Sequence, residues 1–541
     1  MLAQNSTKTL TGAKVVIETL KNLGVDTIFG YPGGVVLNLY DELYKDKSIK
    51  HILVRHEQAA VHAAEGYARA SGKCGVVLVT SGPGATNTIT GIVNAYLDGY
   101  PVVVLTGQVL KDLIGKNAFQ EADICGMVKS CTKRVFQITN ANEINKTLTE
   151  AFTLATSGKK GPVVVDMAKD IFSQSVEFCP QKIKSSKLKF DSNETDRILD
   201  KILKSSYPVI VAGGGIVHSG AEGELYNFAK TLKIPVVSTM MGLGSYPQDD
   251  ENYFGMIGIF GDKSANEILK QSDLIFSLGA RFNDRISCMF SDSDLNGKII
   301  QIDINEDEVA KFIKPKNFII ADAKDILIEM NKSLSLGQFK DWLYYAQGLK
   351  KLNTQPEKRT NLLHSFEVIQ KIEDFTKDQN IIFTSEVGQH QLFAVKNLKF
   401  KSGRKILVSG GSGTMGFGLP AGIGASIASD TNPVVCISGD GSFQMNLNEL
   451  ATCVDYNLNL KIFIINNGYL GMVRQLQEKS CNGRYSQTKI SNPDFVKLAQ
   501  SYGMNALRVT NIQDVDKALT KAFDNNQPFL IDFVVEPMEV V

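Results

Sequence analysis

Val434-Val435-Cys436-Ile437-Ser438-Gly439-Asp440-Gly441 is the stretch that decides the fold. Its apolar run closed by a glycine turn reads as a buried strand ending at Asp440. Asn448 to Tyr456 reads as a helix and Lys461 to Ile465 as a second strand, which runs into Asn466-Asn467. A strand–helix–strand unit crosses over right-handed, so its two strands lie parallel and close together. Asp440 and Asn467 are then both predicted at strand carboxyl ends, where open α/β sheets bind ligands. One carboxylate plus one amide oxygen is a hard, oxygen-only ligand set that suits Mg²⁺ holding a diphosphate. Gly439 and Gly441 let backbone approach the phosphates closely.

Outward from this unit, strand-like runs alternate with helical patterns along all 541 residues, the rhythm of α/β folds with doubly wound parallel sheets. The length exceeds one core and predicts about three domains. Two polar joints, Ser173 to Glu194 and Ser333 to Leu363, divide the chain into residues 1–172, 195–332 and 364–541. The second joint holds the only tryptophan, Trp342. The first and third blocks share a pattern of strand, Gly-rich turn and helix. A net charge of +1 implies no nucleic-acid or membrane field. No long apolar run predicts a membrane helix, and Met1 to Lys14 lacks a signal core. Eight scattered cysteines without a Cys-x-x-Cys pair read as reduced thiols. The expected location is cytoplasmic.

Other candidate groups collect at predicted strand ends. In the first block Ile52 to Glu57 reads as a strand ending in a carboxylate, followed by a helix from Gln58 to Ala70. Tyr31-Pro32-Gly33-Gly34 and Ser81 to Asn87 read as turns, and Gln120 is a potential hydrogen-bond donor to an oxyanion. In the third block Gln389 and His390 follow the strand Ile381 to Thr384 and could meet a diphosphate. Gly411-x-Gly413-x-x-Gly416 mimics a dinucleotide fingerprint but lacks the strand-end acid at the right distance. In the middle block Pro208 to Ala212 runs into Gly213-Gly214-Gly215. Arg281 and Arg285 form a pair suited to a phosphate and a carboxylate. Asp303 and Asp322 sit near further strand ends, so a nucleotide cofactor is expected there.

Taken in order, these motifs resemble the acetohydroxyacid synthase (acetolactate synthase) family, large catalytic subunit, among the thiamine diphosphate (ThDP) enzymes. The matches include Arg55-His56-Glu57-Gln58, Glu65 to Ala70, Ser81 to Asn87 and Phe119 to Asp123. They continue through Val387 to Gln391, Gly413 to Gly416, Gly439 to Phe443 and Gly471-Met472-Val473. The resemblance implies ThDP, Mg²⁺ and a non-redox FAD. It implies decarboxylation of pyruvate and ligation of the resulting hydroxyethyl carbanion to a second 2-ketoacid, in branched-chain amino acid synthesis. It implies that Glu57 protonates the aminopyrimidine ring and that Met415 wedges the cofactor into a folded shape beside Gly413. Asp440, Asn467 and the Tyr469 carbonyl would ligate Mg²⁺. Gly34, Gln389, His390, Gly441, Ser442 and Met472 complete the ThDP site, with Gln120 near the reacting carbonyl. Gly213, Gly214, Gly215, Arg281, Asp303 and Asp322 would hold FAD. Arg285 would clamp the second ketoacid in a pocket lined by Phe119, Met256, Val473 and Leu476. Active sites between subunits imply a homodimer or tetramer, and a regulatory small subunit is a possible partner. Three positions depart from the family pattern: Asn283 stands for an aspartate, Phe260 for a histidine and Leu476 for a tryptophan. Leu476 is expected to relax the preference for 2-ketobutyrate over pyruvate as acceptor. Alternatives on the same fold are a pyruvate oxidase-like enzyme and a FAD-free catabolic acetolactate synthase.

Overall fold

The computed structural model describes residues 8–541 apart from 182, 184–187, 296, 335, 355–357, 359, 402, 430 and 431. Met1–Thr7 and parts of both joints therefore lie outside the described residues. Three six-stranded sheets dominate, and every strand pair within them is parallel. The first runs Lys50–Leu53, Thr27–Gly30, Gly75–Val79, Val102–Gln108, Val163–Ala168, Arg134–Ile138 across its width. The third runs Lys405–Val408, Ile382–Ser385, Val434–Gly439, Leu460–Asn466, Phe529–Val534, Asn505–Val509. Numbered by sequence within each sheet, both orders are 2-1-3-4-6-5. The likeness between first and third blocks, visible in sequence only as shared punctuation, is thus a shared topology. Central strands such as Val102–Gln108 and Val163–Ala168 are buried along their whole length, as expected of parallel sheets covered on both faces.

The middle sheet runs Tyr253–Met256, Val236–Ser238, Pro208–Ala212, Leu274–Leu278, Ile299–Asp303, Asn317–Ile320. This is the 3-2-1-4-5-6 order of dinucleotide-binding sheets. The order reverses between Pro208–Ala212 and Leu274–Leu278, so their outgoing loops face each other at the switch point.

Both joints are more ordered than their composition implies. Ser175–Phe178 pairs antiparallel with Lys8–Thr11, and a helix begins at Ser192, capped by the Asp191 side chain. In the second joint Lys340–Leu349 is a helix whose Trp342, Leu343 and Ala346 enter the middle core. The Trp342 indole N–H donates to the Pro208 carbonyl at 2.9 Å. Helical spacing of three apolar residues buries this face despite the charged surroundings.

The first and third domains share a core through two helices, Glu57–Ser71 and Gly418–Ala428. Each is glycine where backbones touch: a Cβ on Gly66 would overlap the Ala421 carbonyl, and one on Gly424 the Ala63 carbonyl. Gly66 meets Ala421 while Ala63 meets Gly424, so the helices run antiparallel. Each starts at the carboxyl rim of its own sheet, so the two rims face opposite ways.

Candidate active site

At the rim of the third sheet, Gly439 pairs with Ile465 in register. Asp440 and Asn467 therefore emerge side by side beyond the sheet edge, as the opening sequence stretch predicts. Asp440 Oδ2 accepts from the Gly468 N–H at 2.9 Å and from Asn492 Nδ2 at 2.7 Å. Asn492 also donates to Asn466 Oδ1, at 2.9 Å. Burial pushes the Asp440 carboxyl up to about 6 despite these donors. A carboxylate held out of water in this way gains most from a bound cation. Among the described residues no three His, Cys, Asp or Glu side chains cluster to hold a metal. A cation here would take Asp440, amide and carbonyl oxygens, and phosphate or water. That donor set fits Mg²⁺.

Neighbouring groups close in on the same point. Asn467 Oδ1 accepts from the Tyr469 N–H at 3.0 Å, and its Nδ2 lies 3.3 Å from Gln389 Oε1. Gln389 opens the helix Gln389–Asn397, with His390 behind it. A Cβ on Gly439 would come 2.7 Å from the His390 ring, so only glycine fits there. His390 Nε2 has no hydrogen-bond partner and lies 3.6 Å from Glu386, whose buried carboxylate also lacks one. Met415 approaches Gly441: its Cε lies 3.9 Å from where a Gly441 Cβ would stand. Gly413 and Gly416 have φ of 63° and 83°, which favours glycine, and Asn446 Nδ2 holds the Gly416 carbonyl at 2.7 Å. Ser442 is buried beside them in the short helix Asp440–Phe443. Asn446, Asn492 and Glu386 were not singled out from sequence, because isolated Asn and Glu residues in loops carry no spacing signal.

The first domain presents a second cluster at its own rim. Glu57 is the first residue of its helix rather than the end of the strand, which stops at Leu53. The difference follows from His56, whose side chain caps the helix. Glu57 Oε2 accepts from Asn87 Nδ2 at 2.9 Å. Gly33 and Gly84 pack on Thr80, whose hydroxyl is buried without a partner, as is that of Ser81. Gly82 abuts the Gln120 backbone, and Gln120 has φ of 59°. Gly34 lies in open space on this rim, and Phe119 is 88% exposed. Within one chain this cluster does not meet the Asp440 cluster. Glu57 stands nine positions before Gly66, and in the opposite direction the facing helix runs three positions from Ala421 back to its start at Gly418. The two clusters thus lie roughly 18 Å apart along the helix axes at 1.5 Å per residue.

A cavity of about 610 Å³ joins the middle rim to the third. Gly214, Gly215, Arg281, Asp303 and Asp322 line its middle-domain side, and Gly413, Met472 and Leu476 its far side. Arg285 and Met256 also line it, whereas Val473 lies outside, 45% exposed. Gly213 and Gly215 pack directly on the Gly279 backbone and so let the two switch-point loops close together. Burial pushes the Asp303 carboxyl up to about 6. Asp322 caps the helix Ala323–Met330 through the Lys324 N–H at 2.8 Å. Arg281 donates to the Leu97 carbonyl at 2.8 Å, while Arg285 is largely exposed. Size, switch-point position and two arginines fit a dinucleotide. None of the eight cysteines is bridged, and among the described residues no helix is long and apolar enough to cross a membrane.

Comparison with known proteins agrees with this geometry. Three family models match in order: thiamine pyrophosphate enzyme, N-terminal TPP binding domain, over residues 10–127; its central domain over 195–330; and its C-terminal TPP binding domain over 386–533. Fold and site thus define a thiamine diphosphate enzyme. The chain is 39% identical to the acetolactate synthase large subunit of Haemophilus influenzae, over 99% of this chain and 96% of that one. It is 41% identical to that of Lactococcus lactis subsp. lactis, over 99% and 94%. To a probable acetolactate synthase large subunit of Methanocaldococcus jannaschii it is 42% identical, over 98% and 93%. The chain belongs to the acetolactate synthase large-subunit family, as its motifs imply.

Proposed function

We propose that this chain makes 2-acetolactate from two molecules of pyruvate, with 2-ketobutyrate as a second acceptor, for branched-chain amino acid synthesis. The observation that carries this is the paired emergence of Asp440 and Asn467 beside Gln389 and near Met415, on the rim whose Gly413 and Met472 line the same cavity as Arg285 and Leu476. Bound ThDP supplies a nucleophilic carbon at which a 2-ketoacid can lose CO₂. Asp440, Asn467 and the Tyr469 carbonyl would hold Mg²⁺, with Gln389, His390, Gly441 and Ser442 around the diphosphate. Gly413, Met415 and Met472 would pack on the rings. Glu57 keeps a proton on the aminopyrimidine nitrogen, and Gly34 shapes that side of the pocket. Gln120 donates a hydrogen bond to the reacting carbonyl oxygen. Arg285 clamps the acceptor carboxylate. Met256 and Leu476 bound its side chain within the cavity, while Phe119 and Val473, exposed in one chain, would reach it only where a partner copy closes the site. FAD would occupy the middle rim through Gly213 to Gly215, Arg281, Asp303 and Asp322.

Opposed rims favour a homodimer, in which Glu57 of one copy meets Asp440 of the other, and pairing of two dimers into a tetramer or binding of a regulatory small subunit would use surfaces outside these clefts. Product analysis with pyruvate, with and without ThDP, Mg²⁺ and FAD, tests the reading. Acetolactate formation that needs ThDP and Mg²⁺ is expected. Acetyl phosphate or peroxide without acetolactate would overturn it in favour of an oxidase, and acetolactate from flavin-free protein would remove FAD.

A further inference from the structure

The loop that carries Gly413 and Met415 is held from another domain. Asp98 ends the helix Ile89–Asp98, and its carboxylate is fully buried. Oδ1 accepts from the Gly411 N–H at 2.7 Å, and Oδ2 from the Gly410 N–H at 3.1 Å. Arg69, itself buried, donates to Oδ2 at 2.6 Å and to the Val408 carbonyl at 2.8 Å. One helical turn earlier, Asn94 Oδ1 accepts from Ser409 Oγ at 2.5 Å and Thr414 Oγ1 at 2.9 Å. Both ends of residues 409–414 are therefore tied to one helix end.

The same helix end faces the nucleotide rim. Leu97 accepts from Arg281 Nη1 at 2.8 Å. Leu97, Asp98 and Gly99 line the cavity together with Gly214, Arg281 and Gly411. Contact is tight: a Cβ on Gly411 would lie 2.6 Å from Leu97 Cβ, and Met241 of the middle domain closes over Gly410. A ligand at the middle rim would order Arg281 and the Leu97–Gly99 turn directly. Ordering that turn fixes the two N–H groups it holds, which lowers the cost of ordering the ThDP loop.

We infer that Asn94 and Asp98 are positioning residues that couple flavin occupancy of the middle rim to ThDP affinity at the Gly410–Met415 loop. This rests on the FAD and ThDP reading above, and gives a flavin without redox work a mechanical use. The test measures ThDP binding by titration calorimetry with Mg²⁺ on the full chain, with and without saturating FAD, and flavin binding separately by absorbance. FAD is expected to tighten ThDP binding about fivefold or more in the unaltered protein. Asp98→Asn should bring that ratio close to one while flavin still binds. Thr414→Val leaves the Arg69–Asp98 pair intact and serves if Asp98→Asn does not fold. Its ratio should fall, while Thr414→Ser keeps it. A ratio of one in the unaltered protein with both cofactors bound overturns the coupling alone, as does an undiminished ratio in Asp98→Asn and Thr414→Val. Absence of flavin binding overturns the nucleotide reading and the coupling with it.

Discussion

Asp440 is a buried carboxyl whose ordinary range is left behind: its proton is held to about 6 because water is excluded from it. In cofactor-free protein its folded value lies above its unfolded one. The stability it permits is therefore complete below about pH 4 and is lost as pH rises through about 6, a cost on the order of 3 kcal/mol. Asp440→Asn should accordingly melt higher than the unaltered chain at pH 7 without cofactors, and no higher at pH 4. The variant should also lose the gain in melting temperature that Mg²⁺ with ThDP gives the unaltered chain. An Asp440→Asn protein that is less stable at pH 7 would contradict this account of the site. Leu476 offers a second residue-scale test, since it is half exposed and lines the cavity. An apolar contact with one extra methylene is worth roughly 1–3 kcal/mol. Leu476→Trp should raise the preference for 2-ketobutyrate over pyruvate by about tenfold in competition assays, and a strong preference already present with Leu476 would refute the idea.

At the scale of elements, the helix pair Glu57–Ser71 and Gly418–Ala428 joins two domains through glycines that touch backbone. Gly424→Val would force the helices apart, and overpacking of this kind costs about 1–3 kcal/mol or more. Thermal melts should show a lowered transition. Gly223, in the helix Glu222–Leu232, has open space beside it. Gly223→Ala should leave the melt unchanged or raise stability by about 0.5 kcal/mol through helix propensity alone. Strands and turns of these elements were legible in the sequence because buried parallel strands are apolar runs cut by glycine. The joint helix Lys340–Leu349 was not, because three buried residues among charged neighbours resemble a linker until their helical spacing meets a core. Nor was the contact between Gly66 and Ala421, since neither residue announces its partner.

For the whole molecule, the opposed rims make a direct prediction about assembly. Glu57→Gln and Asp440→Asn should each be inactive alone. If sites form between copies, a mixed dimer regains one intact site, so equal mixing with subunit exchange should restore about a quarter of full activity. No recovery, with exchange verified, would place Glu57 and Asp440 in one chain's site.

The sequence by itself determined the three parallel-sheet domains, the strand-end position of Asp440 and Asn467, and the family, since these depend on local pattern and short-range order. Tertiary structure alone decided that Glu57 and Asp440 stand on opposed rims, that Asn492 braces Asp440, and that Asp98 holds the Gly410–Gly411 turn. The reason is physical: such contacts join residues tens to hundreds of positions apart, and their partners are chosen by how helices and sheets pack rather than by any spacing along the chain.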